Sequence, residues 1–115
     1  MDGNAVDVLR IDATTIGGYS VAAPLAIAAV ARGYRVSFHV NPEIHRHLAF
    51  AAETADHIEM FPTDRPFDVS HMLMRAAAFD AVEDGSVPAP DGRGSGLELD
   101  LPSVERFAHR HAVRP

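Results

Sequence analysis

The sequence predicts an α/β domain of about three βα units with parallel strands, followed by a turn-rich carboxyl-terminal tail. Three observations predict it. Short β-branched apolar runs recur at residues 5–11 (AVDVLRI), 34–40 (YRVSFHV) and 58–61 (IEMF). Segments with helical spacing lie between them, and Gly, Pro and Asn stand at the junctions.

The elements follow in order. The run at 5–11 stops at Asp12, before ATTIGGYS, and reads as a buried strand with a glycine-bearing turn after it. Residues 19–32 are alanine-rich, place Leu25, Ala28, Ala29 and Arg32 at helical intervals and end at Gly33, a left-handed cap. Pro24 is tolerable in an early turn. YRVSFHV is the second strand, after which Asn41 as N-cap, Pro42 as first helical residue and Glu43 in the first turn open a helix over 42–55. Its apolar stripe is Ile44, Leu48 and Ala51. The run IEMF is a third strand ended by Pro62, and 67–79 carries Met72, Leu73, Ala76 and Phe79 at roughly helical spacing. Residues 1–80 thus hold the βα units. Residues 81–115 form a tail of the same domain, with at most two short strands between 83 and 102 and a closing helix over 103–113.

Composition narrows the function. A chain of 115 residues with 47% apolar and 23% charged side chains suits one globular domain and argues against disorder. The net charge of −6 and singly scattered arginines disfavour nucleic acid or an anionic membrane as partner. No cysteine is present, which excludes a disulfide framework, a thiolate metal site and a thiol nucleophile. The polar start MDGNAVDVLRID is unlike a signal peptide, and no apolar run approaches about 18 residues, so the expected compartment is the cytoplasm.

In parallel βα structures ligands gather beyond the carboxyl ends of the strands. Asp12, His39 and Glu59 occupy such positions, one for each successive strand. If the strands are adjacent, Asp12 can hydrogen-bond His39, fix its tautomer and favour its charged form, leaving the other ring nitrogen to move a proton near neutral pH. Each residue also has a structural reading: Asp12 as a helix cap, His39 as a satisfied core residue, Glu59 as the partner of Arg65 or Arg75. Only their alignment on one rim favours the joint functional reading.

A metal reading of His39, Glu43 and His47, with His45 as a further donor, fails on geometry. His39 sits on a strand, and residues two apart on a helix do not share a face. His45 and His47 therefore read as surface or packing residues, His57 and His71 as isolated, and His109 and His111 as part of a solvated terminal helix. Gly17 and Gly18 lack the spacing of a nucleotide fingerprint and serve a sharp turn, while 92–96 (GRGSG) is a flexible stretch.

Together VDVLRIDATTIGG, VSFHVNPEIHRHLA, HIEMF and EDGSVPAPDGRGSGLELD resemble the carboxyl-terminal part of the barrel domain in the enolase superfamily, the mandelate racemase and muconate lactonizing enzyme family, in its mandelate racemase-like branch. The resemblance implies a partial (β/α) barrel and a Mg²⁺-dependent isomerase or lyase. Such a racemase or acid-sugar dehydratase removes the proton α to a carboxylate. In such enzymes a Lys or His base works beside Mg²⁺, which stabilises the charge that develops on the carboxylate. By resemblance Asp12 is the sixth-strand Asp, His39 the seventh-strand catalytic His, and Glu59 the eighth-strand Glu that hydrogen-bonds the substrate carboxylate. The lysine motif and the three acidic metal ligands of the family have no counterpart here, so no Mg²⁺ ligand is identifiable. About 115 residues cannot hold a whole barrel, which needs roughly 200 or more.

The resemblance therefore implies part of an enzyme that is inactive alone. Its expected partners are a complementary barrel half, or further copies through exposed strand edges, and a small carboxylate such as a sugar acid. The alternative is a small α/β oligomeric structural or binding module without catalysis. A hydrolase is disfavoured, since no serine sits in a nucleophile elbow.

Overall fold

The computed structural model describes residues 5–52, 55–63 and 70–107. Three strands, β1 (Val8–Ile11), β2 (Arg35–Phe38) and β3 (Ala55–Ile58), form one sheet in the order β1-β2-β3. Both pairings are parallel. Helix α1 (Ala13–Ile16) is a single turn, α2 (Tyr19–Val30) crosses from β1 to β2, and α3 (Pro42–Ala52) crosses from β2 to β3. The chain is therefore α/β and matches part of a βα barrel.

Local chemistry explains the turns. Gly17 and Gly18 have φ of 109° and 77°, which lets the chain pass from α1 into α2 without a side-chain clash. At the end of α2, Gly33 has φ 81°, its N–H donates to Val30 O at 2.8 Å, and Tyr34 N–H donates to Ala29 O at 3.1 Å. That is a Schellman closure, as the Gly33 cap predicts. The second crossover begins differently. Val40 and Asn41 both have positive φ, 42° and 45°, before Asn41 O accepts from Ile44 and His45 N–H at 3.0 Å. A β-branched residue in that region is strained, so the surrounding bonds must hold it.

Burial alternates along the strands with period two. Val36, Phe38 and Ile11 point to the helices and join Ala13, Ala22, Ala26, Ala29 and Leu48 in the core. Val8, Arg10 and Arg35 face the other way and are exposed. A parallel sheet normally has both faces covered. Among the described residues this one is covered on the helix side only, so the strands are not buried on both faces as their apolar runs predict. Helix α2 is apolar on every side, and Val21, Ile27 and Val30 stay exposed.

The remaining elements differ from the sequence expectations in extent. Strands β1 and β2 are shorter than expected, and β3 keeps its four residues but lies three positions earlier, at Ala55–Ile58 rather than 58–61. The helix expected over 67–79 is replaced, within its described part, by 3₁₀ turns at Ser70–Leu73 and Ala78–Ala81. Among the described residues the tail shows isolated bridges, Leu99 to Met74 and Glu83 to Ser86, and then α4 (Leu101–Phe107). Residues 64–69 and 108–113, with Arg65, His109 and His111, lie outside the described residues.

The 3₁₀ turn Ala78–Ala81 and the tail that follows it are both fastened to α3. The buried Glu43 carboxylate accepts Ala78 N–H at 2.8 Å, and His47 Nε2 donates to Ser95 O at 2.6 Å. Of two residues that sequence spacing offered as metal donors, Glu43 thus anchors the turn before the tail and His47 the tail itself. Glu43→Ala leaves the buried Ala78 N–H without an acceptor and is expected to lower stability by about 1–3 kcal/mol. It should also speed tryptic cleavage at exposed Arg93; an unchanged cleavage rate contradicts the anchoring role.

Candidate functional site

Ile11, Phe38 and Ile58 stand in register across the sheet. The residues that follow them are Asp12, His39 and Glu59. Their alignment is kept by two bonds beyond the strand ends: His39 N–H donates to Ile11 O at 2.9 Å, and Glu59 N–H to Phe38 O at 3.0 Å. One rim at the carboxyl ends of the strands therefore carries all three candidate residues.

Their side chains pair in a different pattern from the one expected. His39 Nδ1 lies 2.7 Å from Glu59 Oε2, and Arg10 Nη2 lies 2.8 Å from the same Nδ1. Arg10 also forms an ion pair with Glu59. Asp12 instead accepts from Thr14 N–H at 2.9 Å and from the Thr14 hydroxyl at 2.7 Å. The hydrogen bond expected between Asp12 and His39 is thus replaced by one between His39 and Glu59. The cause is local: α1 starts directly after Asp12, and its first turn takes the carboxylate as its N-cap.

The sequence reading missed Arg10. It lies two residues before Asp12, and period two puts both on the same face of the sheet. A cation on that face beside two rim carboxylates was the available signal. Arg10 neutralises Glu59, while Arg75 lies near Glu98, at 3.9 Å; Arg65 lies outside the described residues.

Nδ1 of His39 faces an acceptor and a donor together. With its proton on Nδ1, His39 donates to Glu59 and leaves Nε2 as a bare base; with the proton on Nε2, Nδ1 accepts from Arg10. Both tautomers are satisfied without heavy-atom movement. Nε2 makes no hydrogen bond among the described residues, and the side chain is about half exposed, at 46%. The arrangement can therefore exchange a proton with a group placed over the rim.

Glu59 is held below the ordinary carboxylate range, chiefly by hydrogen bonding to Arg10, against a smaller opposing effect of burial and with help from His39 and the Val40 N–H. An ionised Glu59 has no proton to offer a substrate carboxylate, so in this arrangement it serves His39. Asp12 is also lowered: burial pushes it up, but the Thr14 bonds and the nearby His45 and His39 outweigh that.

Both groups ionise more easily folded than unfolded. Their stabilisation is fully present above the ordinary values of 4.5 and 3.8, and it is lost as pH falls through the lowered folded values. The urea midpoint is expected to drop between neutral pH and about pH 3, and to drop less in Glu59→Gln. An identical pH dependence in that variant contradicts the Glu59 contribution.

His45 lies at the centre of the rim's support. It is fully buried, at 0% exposure, rather than a surface residue. Its Nδ1–H donates to Val40 O at 2.6 Å, its Nε2 accepts Ala13 N–H at 2.9 Å, and its ring stacks on Phe38 at 5.4 Å. Asp12 Oδ1 lies 3.5 Å from Nε2.

No group of three or more His, Cys, Asp or Glu among the described residues is arranged to hold a metal ion. Glu59 is already matched by a cation, Asp12 caps a helix, and both nitrogens of His45 are used. The described residues do not fit the Mg²⁺ that the resemblance implies. Nor is any helix among them long and apolar enough to cross a membrane.

Comparison with known proteins agrees with the fold. The family described as enolase C-terminal domain-like matches residues 1–104. D-galactarolactone cycloisomerase of Agrobacterium fabrum is 32% identical over 117 residues, covering 93% of this chain and 31% of that enzyme. The chain thus spans about a third of the length of the curated relative it matches. No solved structure matches it significantly.

Proposed function

From the premise that this chain belongs to the enolase C-terminal domain-like family, we propose that it supplies the proton-transfer rim of an enzyme acting on a small carboxylate, such as a sugar acid or its lactone. The carrying observation is His39, set in register beyond β2 with Nδ1 held by Glu59 and Arg10 and Nε2 directed to no protein partner among the described residues.

In this reading Nε2 of His39 removes the proton on the carbon next to the substrate carboxylate. The C–H bond breaks, its electron pair moves toward the carboxylate as an enediolate, and the proton stays on Nε2. Glu59 stabilises the resulting imidazolium through Nδ1–H. A proton delivered to the opposite face of that carbon by an acid elsewhere in the barrel gives racemisation; loss of a β-substituent from the enediolate, with the proton from His39 or water taken up by the leaving group, gives dehydration. The relative's name favours an isomerase acting on a sugar lactone.

The described residues offer a base without a matching set of groups for the enediolate charge, and that stabilisation is usually the largest part of catalysis. We therefore assign it, with the family's Mg²⁺, to other parts of the barrel, which would dock on the sheet face and the outer edges of β1 and β3 that no other described residues cover. Asp12 contributes a negative charge on the rim. The chain by itself is then inactive.

The test is mixing the chain with a polypeptide carrying the preceding five strands of such a barrel, with Mg²⁺, and following α-deuterium incorporation into sugar acids and lactones. Exchange appearing only in the mixture supports the proposal. Correct assembly without exchange refutes it and leaves the second reading, a non-catalytic oligomeric module. The exposed apolar residues Val8, Ile27 and Val30 favour association in either case.

A further inference from the structure

We propose that buried His45 is a positioning residue that couples the loop after β1, carrying Asp12, to the loop after β2, carrying His39. The inference rests on the rim reading above and extends it to a residue that touches no substrate.

Four contacts carry it. His45 Nε2 accepts the N–H of Ala13, the residue after Asp12, at 2.9 Å. Its Nδ1–H donates to the carbonyl of Val40, the residue after His39, at 2.6 Å. Its ring stacks on Phe38, the residue before His39, and Glu59 Oε2 takes the Val40 N–H at 3.2 Å. Val40 is thus gripped at both its carbonyl and its N–H. Without that grip a β-branched residue at φ 42° has no reason to stay there, and His39 moves with it.

The bonds also fix the tautomer. Ala13 N–H is a donor and Val40 O an acceptor, so neutral His45 carries its proton on Nδ1. A hydrophobic residue of similar size could fill the space and stack on Phe38, but would join neither loop. The two bonds do separate jobs, which makes them separable by substitution. The amide of Asn reaches the position of Nδ1 and keeps the bond to Val40. The amide of Gln reaches the position of Nε2 and keeps the bond from Ala13.

The experiment uses the full chain, with imidazole ¹⁵N spectra and amide hydrogen exchange. Wild type is expected to show the His45 proton on Nδ1. In His45→Asn the Ala13 amide should exchange about tenfold faster relative to other core amides, while the His39 ring shifts are retained. His45→Gln should do the reverse, protecting Ala13 and moving the His39 ring shifts. Leu48→Ala, a core truncation away from both bonds, should lower stability with the His39 shifts unchanged. In the assembled mixture, His45→Gln should lower kcat for α-exchange with KM unchanged.

His39 shifts that stay fixed in His45→Gln, or that follow stability equally in all three variants, overturn the proposal. Absence of α-exchange even with the wild-type chain in an assembled mixture refutes the proposed function instead, and the spectra still decide whether His45 positions His39.

Discussion

Replacing His45 by Ala is expected to lower folding stability by about 3–5 kcal/mol, read as a fall in the urea midpoint of the full chain. Three losses combine. The ring is fully buried and stacked on Phe38, so truncation leaves a cavity in the core. The Ala13 N–H and the Val40 carbonyl both lose their partner, at about 1–3 kcal/mol for each group left buried and unpaired. Domains hold only about 5–15 kcal/mol in all, so the variant approaches unfolding. His57→Ala is the control: His57 is exposed on the far face of β3, and its removal is expected to change stability by under about 0.5 kcal/mol. A His45→Ala loss below about 1 kcal/mol contradicts the assigned bonding.

His39→Asn is expected to reduce α-proton exchange in the assembled protein by about 10²–10⁴-fold, the usual worth of a positioned general base. The amide of Asn can still donate to Glu59 from near the Nδ1 position, so the ion pair of Glu59 with Arg10 keeps its surroundings. What disappears is Nε2. Because the His39 side chain is half exposed, stability should change little, and kinetics separate the base from the fold. Substrate affinity should hold within a few-fold, with the loss in kcat. A variant that loses exchange only through unfolding contradicts this role for His39.

Much of the fold was legible because its punctuation is chemical. Gly33 closes α2 and Pro42 opens α3, as their backbone limits require, and β1 and β2 end where their apolar runs meet Asp12 and His39. The rim followed from the same signals. Pairing on the rim was less legible. Asp12 has two possible partners, and the helix turn beginning at Ala13 takes it, which depends on where α1 starts. Arg10 escaped notice because a strand read as buried hides which of its faces is open.

Of the two roles read for His45, surface or packing, the structure shows packing, with two hydrogen bonds that the sequence did not indicate. Its burial depends on the left-handed step at Val40 and Asn41, which turns the first turn of α3 under the rim. Nothing in the residue types at 40 and 41 announces positive φ for valine. The tail was legible only as turn-rich. Its attachment through His47, and that of the preceding turn through Glu43, depends on contacts made across 48 and 35 residues of sequence, beyond any local pattern.

The central claim is that His39, held by Glu59 and Arg10 on this rim, moves the α-proton. The most direct measurement is the rate of α-deuterium incorporation into a sugar acid or lactone by the assembled protein, comparing wild type with His39→Asn at equal assembly. Exchange is expected with the wild-type chain, and a loss of at least about 100-fold in the variant. Equal exchange by the two proteins would contradict it.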